Sequence, residues 1–437
     1  MTLTQNSRMR LLTLCALYVA QGIPWGFVMV TLLAYLTAQG LDAGSLGEVA
    51  AVATLPWAFK FIWGPIIDRF GFRPMGRRRP WILIAQAMMA LTLLAMVFFK
   101  ELTSSVETLL ALVFIHNVFA SLQDVAVDAL AVDLLEEDER GRANGFMWAS
   151  KYFGMLLGGA GMGAALSVVG IRGALLVQVS LLFGIMMLPL FLRERTGDRF
   201  LPWTRGVGED SEGAQESSST LEILRKLKAA MSSTPARVGI AYALVANSAT
   251  ALGGTFTNML LSSQEGWDPG TVSEVLGGYS IFASVGAAIV AGFLVDRLGV
   301  RRVITVGTLL VGANYIVFGL GGAALWGNMG LVIATMLIVS GLNSAVQVAQ
   351  FALFMGLCSP LVAATQFTAY MALLNVSMTW AQTLNGFLHE TFGYTWGLVV
   401  LGCFHASTVV FLWWIRPRPR DVDEDRTEAP VSQVLDV

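Results

Sequence analysis

The chain has 437 residues, of which 55% are hydrophobic and only 13% charged, and its mean hydropathy is +0.65. That balance excludes an ordinary soluble protein of this length and points to a polytopic membrane protein. A formal net charge of −2 gives no support to a nucleic-acid partner. The three cysteines, Cys15, Cys358 and Cys403, lie in or at the ends of apolar runs without metal-ligand spacing. They read as small core residues, so neither a disulfide nor a metal or other cofactor is expected.

From the start, Arg8 and Arg10 precede an apolar run that continues through Gln21-Gly-Ile-Pro24 to Leu36 without a small-x-small cleavage site. It reads as a first span of a bilayer core of about 30 Å, not as a secretory leader. With this run at 10–38, stretches of spanning length recur at 45–67, 80–99, 107–133, 143–168 and 172–192. After a polar connector they continue at 237–262, 271–295, 302–322, 327–355, 363–387 and 394–415. The sequence therefore predicts an all-α membrane protein of twelve transmembrane helices in two pseudo-symmetric six-helix bundles. Residues 1–192 form the N-terminal bundle, 193–236 a connector, 237–415 the C-terminal bundle and 416–437 a disordered tail.

The basic residues set an orientation. If the N-terminus is cytoplasmic, 24 of the 28 Lys and Arg residues fall in cytoplasmic segments. Only Lys100 and Arg172 fall outside, with Lys60 and Lys151 inside helices. Positive-inside bias then places both termini and the connector in the cytoplasm. Within the connector, Gly206-Val-Gly-Glu-Asp-Ser-Glu-Gly213 and Ser217-Ser-Ser219 mark flexible linker. Leu221-Glu-Ile-Leu-Arg-Lys-Leu-Lys228 reads either as a short amphipathic surface helix or as solvated linker. The tail is basic near the membrane (Arg416, Arg418, Arg420), then acidic, with no apolar period.

Four charges fall inside spans: Lys60 on helix 2, Asp124 and Asp128 on helix 4, and Lys151 on helix 5. A charge in hydrocarbon costs at least about 2.5 kcal/mol, so each needs a partner and is a functional candidate. Lys60 is 8 residues from Asp68, Asp124 is 9 from Asp133, and Lys151 is 9 from Arg142. At about 1.5 Å per residue the three share a depth roughly 12–14 Å from the cytoplasmic face, with Asp128 one turn nearer to it. Asp124 and Asp128 share a helix face, where two carboxylates repel unless one is protonated or paired. Such a group suits proton coupling; the plain alternative is a structural cluster whose charges only neutralise one another. Asp133 reads as a helix-end residue and Glu274 as near the outer surface.

The second half is rich in neutral polar groups: Asn247, Asn258, Tyr279, Asn314, Asn343, Gln347, Gln350, Gln366, Tyr370, Asn375, Trp380, Gln382 and Asn385. These suit sugar or amide groups of a solute, though each also serves as helix-packing glue. His116, His389 and His405 read as hydrogen-bonded core. The run Gly154-Met-Leu-Leu-Gly158-Gly-Ala-Gly161-Met-Gly163 allows close helix approach, and Pro24 and Pro56 interrupt helices 1 and 2. No metal-binding His pair, Ser-His-Asp set or nucleotide loop is present, so an enzyme is not expected. A non-transporting sensor would need a folded soluble domain, for which connector and tail lack the apolar period.

The loop Gly64-Pro-x-x-Asp68-Arg69-x-Gly71, followed by Arg77-Arg-Arg79, returns as Asp296-Arg297-Leu-Gly299-Val-Arg-Arg302 at an offset of 228 residues. This duplicated turn resembles the helix 2–3 signature of the major facilitator superfamily. The resemblance implies a cytoplasmic gate at Asp68, Arg69, Gly71, Arg77, Asp296 and Arg297. A narrower set, Gln21-Gly-Ile-Pro24-Trp-Gly26, Leu55-Pro-Trp-Ala-Phe-Lys60-Phe-Ile-Trp63-Gly-Pro65, Gly76-Arg-Arg-Arg-Pro-Trp81, Gln123-Asp124-Val-Ala-Val-Asp128, Glu139-Arg140-Gly141 and Ala364-Thr-Gln366-Phe, is similar to the AmpG-like muropeptide permeases and the related acetyl-coenzyme A transporters.

Members of that branch take up anhydro-muropeptides, acyl-coenzyme A or some ferric siderophores, so the resemblance implies a bulky, polar, often anionic small-molecule substrate and a multi-pass inner-membrane location. The expected function is proton-coupled import by alternating access of a monomer whose only other partners are protons and lipid. Asp124 and Asp128 are the expected proton carriers. Lys60, Lys151, Gln123, Gln21, Gln347, Gln350, Tyr370 and Asn375 are the expected substrate ligands or counter-charges.

Overall fold

The computed structural model describes residues 2–41, 43–98, 106–204, 220–263, 279–359 and 362–415. Lys100, the linker signals between Gly206 and Ser219, Glu274 and the tail from Arg416 lie outside the described residues. The described residues are helical, with no strand among them beyond one isolated bridge pairing Thr2 with Arg193. The first half holds α1 (Ser7–Gly26), α2 (Leu33–Ala38), α3 (Ala43–Ala58), α4 (Trp63–Arg69), α5 (Arg79–Phe98), α6 (Val106–Leu134), α7 (Arg140–Leu156) and α8 (Met162–Phe191). The segment open to either reading, surface helix or linker, forms α9 (Thr220–Met231), which packs against α4. The second half holds α10 (Thr234–Ala246), α11 (Ser248–Ser263), α12 (Ser280–Leu298), α13 (Val300–Trp326), α14 (Met329–Leu357), α15 (Ala363–Gln382) and α16 (Asn385–Ser407).

Nine helical stretches among the described residues are long and apolar enough to cross a membrane. One of them, Arg140–Phe191, has 52 residues. At about 1.5 Å per residue it is too long for one crossing of a core about 30 Å thick. It breaks at Gly170, whose φ of 68° and ψ of 178° no helix contains and a side chain would strain. Gly322 and Gly393 break α13 and α16 in the same way.

The stretch 45–67 is not one continuous helix. Pro56 sits inside α3, and the helix stops two residues later, at Ala58; Lys60–Ile62 then form a tighter 3-10 turn before α4. Pro65 accounts for the break, since its ring crowds the carbonyl four residues back and it lacks the N–H that would bond it. Lys60 therefore projects from an irregular turn, where its side chain is not bound to a helix face.

Helices α1 and α7 meet on glycine. A Cβ on Gly22 would overlap the Lys151 carbonyl oxygen, one on Gly26 the Met155 carbonyl, and one on Gly158 the Ile23 carbonyl. Beyond this seam Phe27–Leu32 and Leu157–Gly161 both wind as π-type turns, and Thr31 Oγ1 donates to the carbonyls of Gly158 (2.9 Å) and Gly159 (2.8 Å). This close approach sets Tyr18 of α1 beside Lys151 of α7.

The end of the first half that carries the basic loop is pinned by two buried charges. Glu194 accepts from the backbone N–H groups of Arg77 (2.8 Å), Arg78 (2.8 Å) and Arg79, the orphan donors at the start of α5. Burial pushes the Glu194 carboxyl above its ordinary pKa, and those N–H bonds pull it back. Arg79 spends its donors on carbonyl oxygens of Met75, Pro189, Leu190, Arg199 and Phe200, which ties α5 to the end of α8.

Candidate functional site

Lys60, Asp124 and Lys151 come together in the interior of the first half. Lys60 Nζ donates to Asp124 Oδ2 at 3.2 Å and Lys151 Nζ to Asp124 Oδ1 at 3.2 Å, so the carboxylate is held between two ammonium groups. Asp128, one turn along α6, accepts from the Tyr18 hydroxyl at 2.6 Å. Lys60, Asp124 and Asp128 are buried, at 7%, 4% and 4% exposure. Lys151 keeps 23% of its side chain exposed, and its ammonium lies 5.2 Å from the Trp148 ring centre and 5.8 Å from that of Tyr18. Fully ionised, two lysines and two aspartates sum to zero. Such a cluster tolerates low dielectric only while that balance holds.

Neutral groups complete the neighbourhood. Gln123 donates through Nε2 to the Leu17 carbonyl (3.2 Å), and its Oε1 is without a partner. Gln21 is buried at 5% exposure with neither amide atom bonded to any of the described residues. Gln347, from the second half, accepts from the Tyr152 hydroxyl at 3.2 Å, one residue from Lys151. Gln350 and Tyr370 are engaged within the second half instead: Gln350 Nε2 donates to the Tyr242 hydroxyl at 3.1 Å, and Tyr370 stacks on Phe354 at 4.7 Å. Asn375 is exposed on α15. The side chains of Asn258, Gln382 and Asn385 lie outside those described. Of the histidines, His116 Nδ1 bonds with Thr92 (3.0 Å), whereas buried His405 has no partner among the described residues on either ring nitrogen.

The two duplicated acids both reach across to the opposite half. Asp68, its side chain 1% exposed, accepts from the backbone N–H (2.8 Å) and hydroxyl (2.7 Å) of Thr365, and from Arg78 (2.8 Å) and Arg77 (3.3 Å) beside it. Arg78 is fully buried and also holds Asp133 at 2.7 Å; burial alone would lower its pKa, and the Asp133 and Asp68 carboxylates outweigh it and push the pKa up. Asp296 accepts from Arg142 through the backbone N–H (3.1 Å) and the guanidinium Nε (2.7 Å). Backbones touch here too: a Cβ on Gly64 would come within 2.7 Å of Thr365 Cα, and one on Gly145 within 2.8 Å of Gly292 Cα. The other four expected gate residues are placed differently. Arg69 lies over the Phe70 ring, Arg77 bonds to Asp68 and Glu194 of its own half, Gly71 lies against Arg77, and Arg297 is exposed.

Between this face and the charged cluster, α7 and α14 meet in steps of four residues. Asn144 donates to the Met355 sulfur (3.3 Å), Trp148 packs edge-on against Phe351 (4.9 Å), and Tyr152 bonds Gln347. One helical turn per rung on both helices gives a straight antiparallel seam. It runs from the Asp296 contact up to the level of Lys151.

Sequence reasoning missed Tyr18, Trp148, Thr365, Arg78 and Arg142 as members of these groups. Tyr18 was within reach of the depth comparison: it lies 8 residues from Arg10, as Lys60 does from Asp68. Arg78 and Arg142 had no such signal, since one turn offers several equivalent arginines.

A helical chain of two halves, joined by reciprocal contacts at one face and holding paired charges inside, has the plan of a secondary transporter. The family model of the Major Facilitator Superfamily matches residues 14–236 and 238–435, and the chain belongs to that family. It is similar to the anhydromuropeptide permease of Escherichia coli strain K12, with 26% identity over 385 residues, covering 86% of this chain and 73% of the permease. The fold is also that of the Escherichia coli fucose:proton symporter FucP, at a TM-score of 0.68, with 13% identity and coverage of 93% of this chain and 98% of that one. The proton:xylose symporter XylE gives a TM-score of 0.64, 14% identity and coverage of 93% and 96%. Within that superfamily the chain resembles the AmpG-type permeases over most of its length.

Proposed function

We propose that the protein is a proton-coupled importer of an anhydro-muropeptide, working by alternating access as a monomer in the inner membrane. The observation that carries the proposal is Asp124 held between Lys60 and Lys151, with Asp128 on Tyr18, buried in the interior of a transporter. Asp124 and Asp128 are the proton carriers; Lys60 and Lys151 are the counter-charges, and Gln21, Gln123 and Gln347 are solute ligands. The E. coli relative's name supplies the solute class.

The basic face is cytoplasmic by the distribution of Lys and Arg, which puts both termini there. Twelve spans follow when Arg140–Phe191 is divided at Gly170 and two spans are added, one from α10 with α11 and one from α15. Closure at Asp68 with Thr365, Asp296 with Arg142, and the seam of α7 and α14 then corresponds to a conformation shut towards the cytoplasm. Alternating access opens these contacts while the buried cluster gains or loses its proton.

Purified protein in sealed vesicles, given an inward proton gradient, is expected to accumulate an anhydro-muropeptide. Uptake indifferent to the gradient rejects proton coupling. Thermal stabilisation by a ferric siderophore or a coenzyme A thioester, and not by the muropeptide, rejects the solute.

A further inference from the structure

Resting on the transport reading above, we infer that Lys151 is the binding group for a carboxylate on the solute, and that one proton enters the site with each such carboxylate, making transport electroneutral.

The four charges differ in access. Lys60 is locked in the 3-10 turn with 9% of its side chain exposed, and Asp124 has 6%, whereas Lys151 has 23%. Lys151 also lies on the seam between the halves: its neighbours Trp148 and Tyr152 touch Phe351 and Gln347 of the second half. Its ammonium is flanked by the Trp148 and Tyr18 rings, which favour a cation and leave a charge-assisted partner to approach from the open side. It is therefore the one member of the cluster that a solute held between the halves reaches.

Charge balance then fixes what enters. With both lysines and both aspartates ionised the site is neutral. A solute carboxylate added to that state leaves one uncompensated negative charge in low dielectric; a proton added alone leaves one positive charge. The two together restore zero. The carboxylate takes Lys151, Asp124 keeps Lys60 as its partner, and the proton from the outer solution neutralises Asp128, whose fixed donor is Tyr18. On opening to the other side, the carboxylate and the proton leave together and Lys151 returns to Asp124.

The groups facing Asp128 are few. On α1 it is Tyr18, from the 3-10 turn Lys60, on its own helix Asp124, and on α7 Lys151. Helix α15, packed on α6, carries no charged residue and Tyr370 as its one ionisable group. The charged residues of α3, α4 and α5, which are Glu48, Asp68, Arg69 and Arg79, sit at the far ends of those helices. Arg8 and Arg10 of α1 and Glu107 and Asp133 of α6 also lie near the ends of their helices, so among the described residues no further charge offsets the count.

The test uses the full-length protein and N-acetylglucosaminyl-1,6-anhydro-N-acetylmuramic acid, which carries one carboxylate, alongside its carboxamide. In weakly buffered solution the acid is expected to bind with uptake of about one proton, and the carboxamide with none. In Lys151→Gln the acid should lose about ten- to hundredfold in affinity, the loss of one charged hydrogen-bond partner, while the carboxamide changes little. In vesicles clamped with valinomycin, a pH gradient should drive accumulation of the acid, and membrane potential alone should not. Equal binding of acid and carboxamide without proton uptake, or accumulation driven by potential alone, overturns this inference and leaves the permease reading standing. Binding of neither probe overturns the muropeptide reading, and this inference with it. The proton-uptake and potential measurements need only the wild-type protein, so misfolding of a variant does not block the test.

Discussion

Replacing Asp68 by Asn removes one charge at the proposed cytoplasmic closure and keeps its shape. In the closed form the carboxylate accepts from four donors: Arg78 and Arg77 on its own half, Thr365 N–H and Thr365 hydroxyl on the other. Only the two Thr365 bonds break when the face opens, so only they bear on the conformational equilibrium. A hydrogen bond to a charged group contributes about 1.5–3 kcal/mol and one between neutral groups about 0.5–1.5 kcal/mol. An Asn that keeps its oxygen on Arg78 turns its NH₂ towards the Thr365 N–H, which loses that bond outright. Together the change favours opening by about 2–3 kcal/mol, or about 30- to 150-fold in population at 1.4 kcal/mol per tenfold. Spin labels at Phe72→Cys and Arg302→Cys, with free Cys15, Cys358 and Cys403 replaced, report the distance across this face. The parent should show one short distance and Asp68→Asn a second, longer population. An unchanged distribution in a variant that melts like the parent would refute the assignment of Asp68 to the closure.

Other substitutions probe what holds the site. Asp124→Asn leaves two buried ammonium groups around a neutral amide and should destabilise by about 3–5 kcal/mol, read as a large fall in melting temperature. Gly22→Val should abolish folding, because its side chain meets the Lys151 backbone, while Gly184→Ala, with nothing within 4 Å, should melt like the parent. Glu194→Ala strips the backbone donors at the start of α5 of their acceptor and should cost about 1–3 kcal/mol, checked by scanning fluorimetry.

The sequence carried the parts of this structure that follow from periodicity and charge. Apolar runs marked the helices, and counting residues inward from the basic loops put Lys60, Asp124 and Lys151 at one depth, where the structure joins them. What it did not carry depends on which atoms meet. Nothing in the spacing of residues 45–67 says that the helix stops at Ala58, because Pro56 is tolerated and the break follows from Pro65 further on. Similarly, the duplicated Asp-Arg pairs suggest that aspartate and arginine act alike. The aspartates do cross between the halves, but their partners are Thr365 and Arg142, selected by the close approach of Gly64, Gly141 and Gly145 to the other half. Gln350 and Tyr370 are typical solute ligands by residue type, and only packing shows them turned to Tyr242 and Phe354.

In the proposed cycle the buried acids move protons with the solute. This coupling is tested most directly in vesicles at equal internal and external pH by adding an anhydro-muropeptide outside and recording external pH. External pH should rise in step with solute entry, and should not when Asp124 and Asp128 are both replaced by Asn. Solute entry through the wild-type protein with no change in external pH would contradict it.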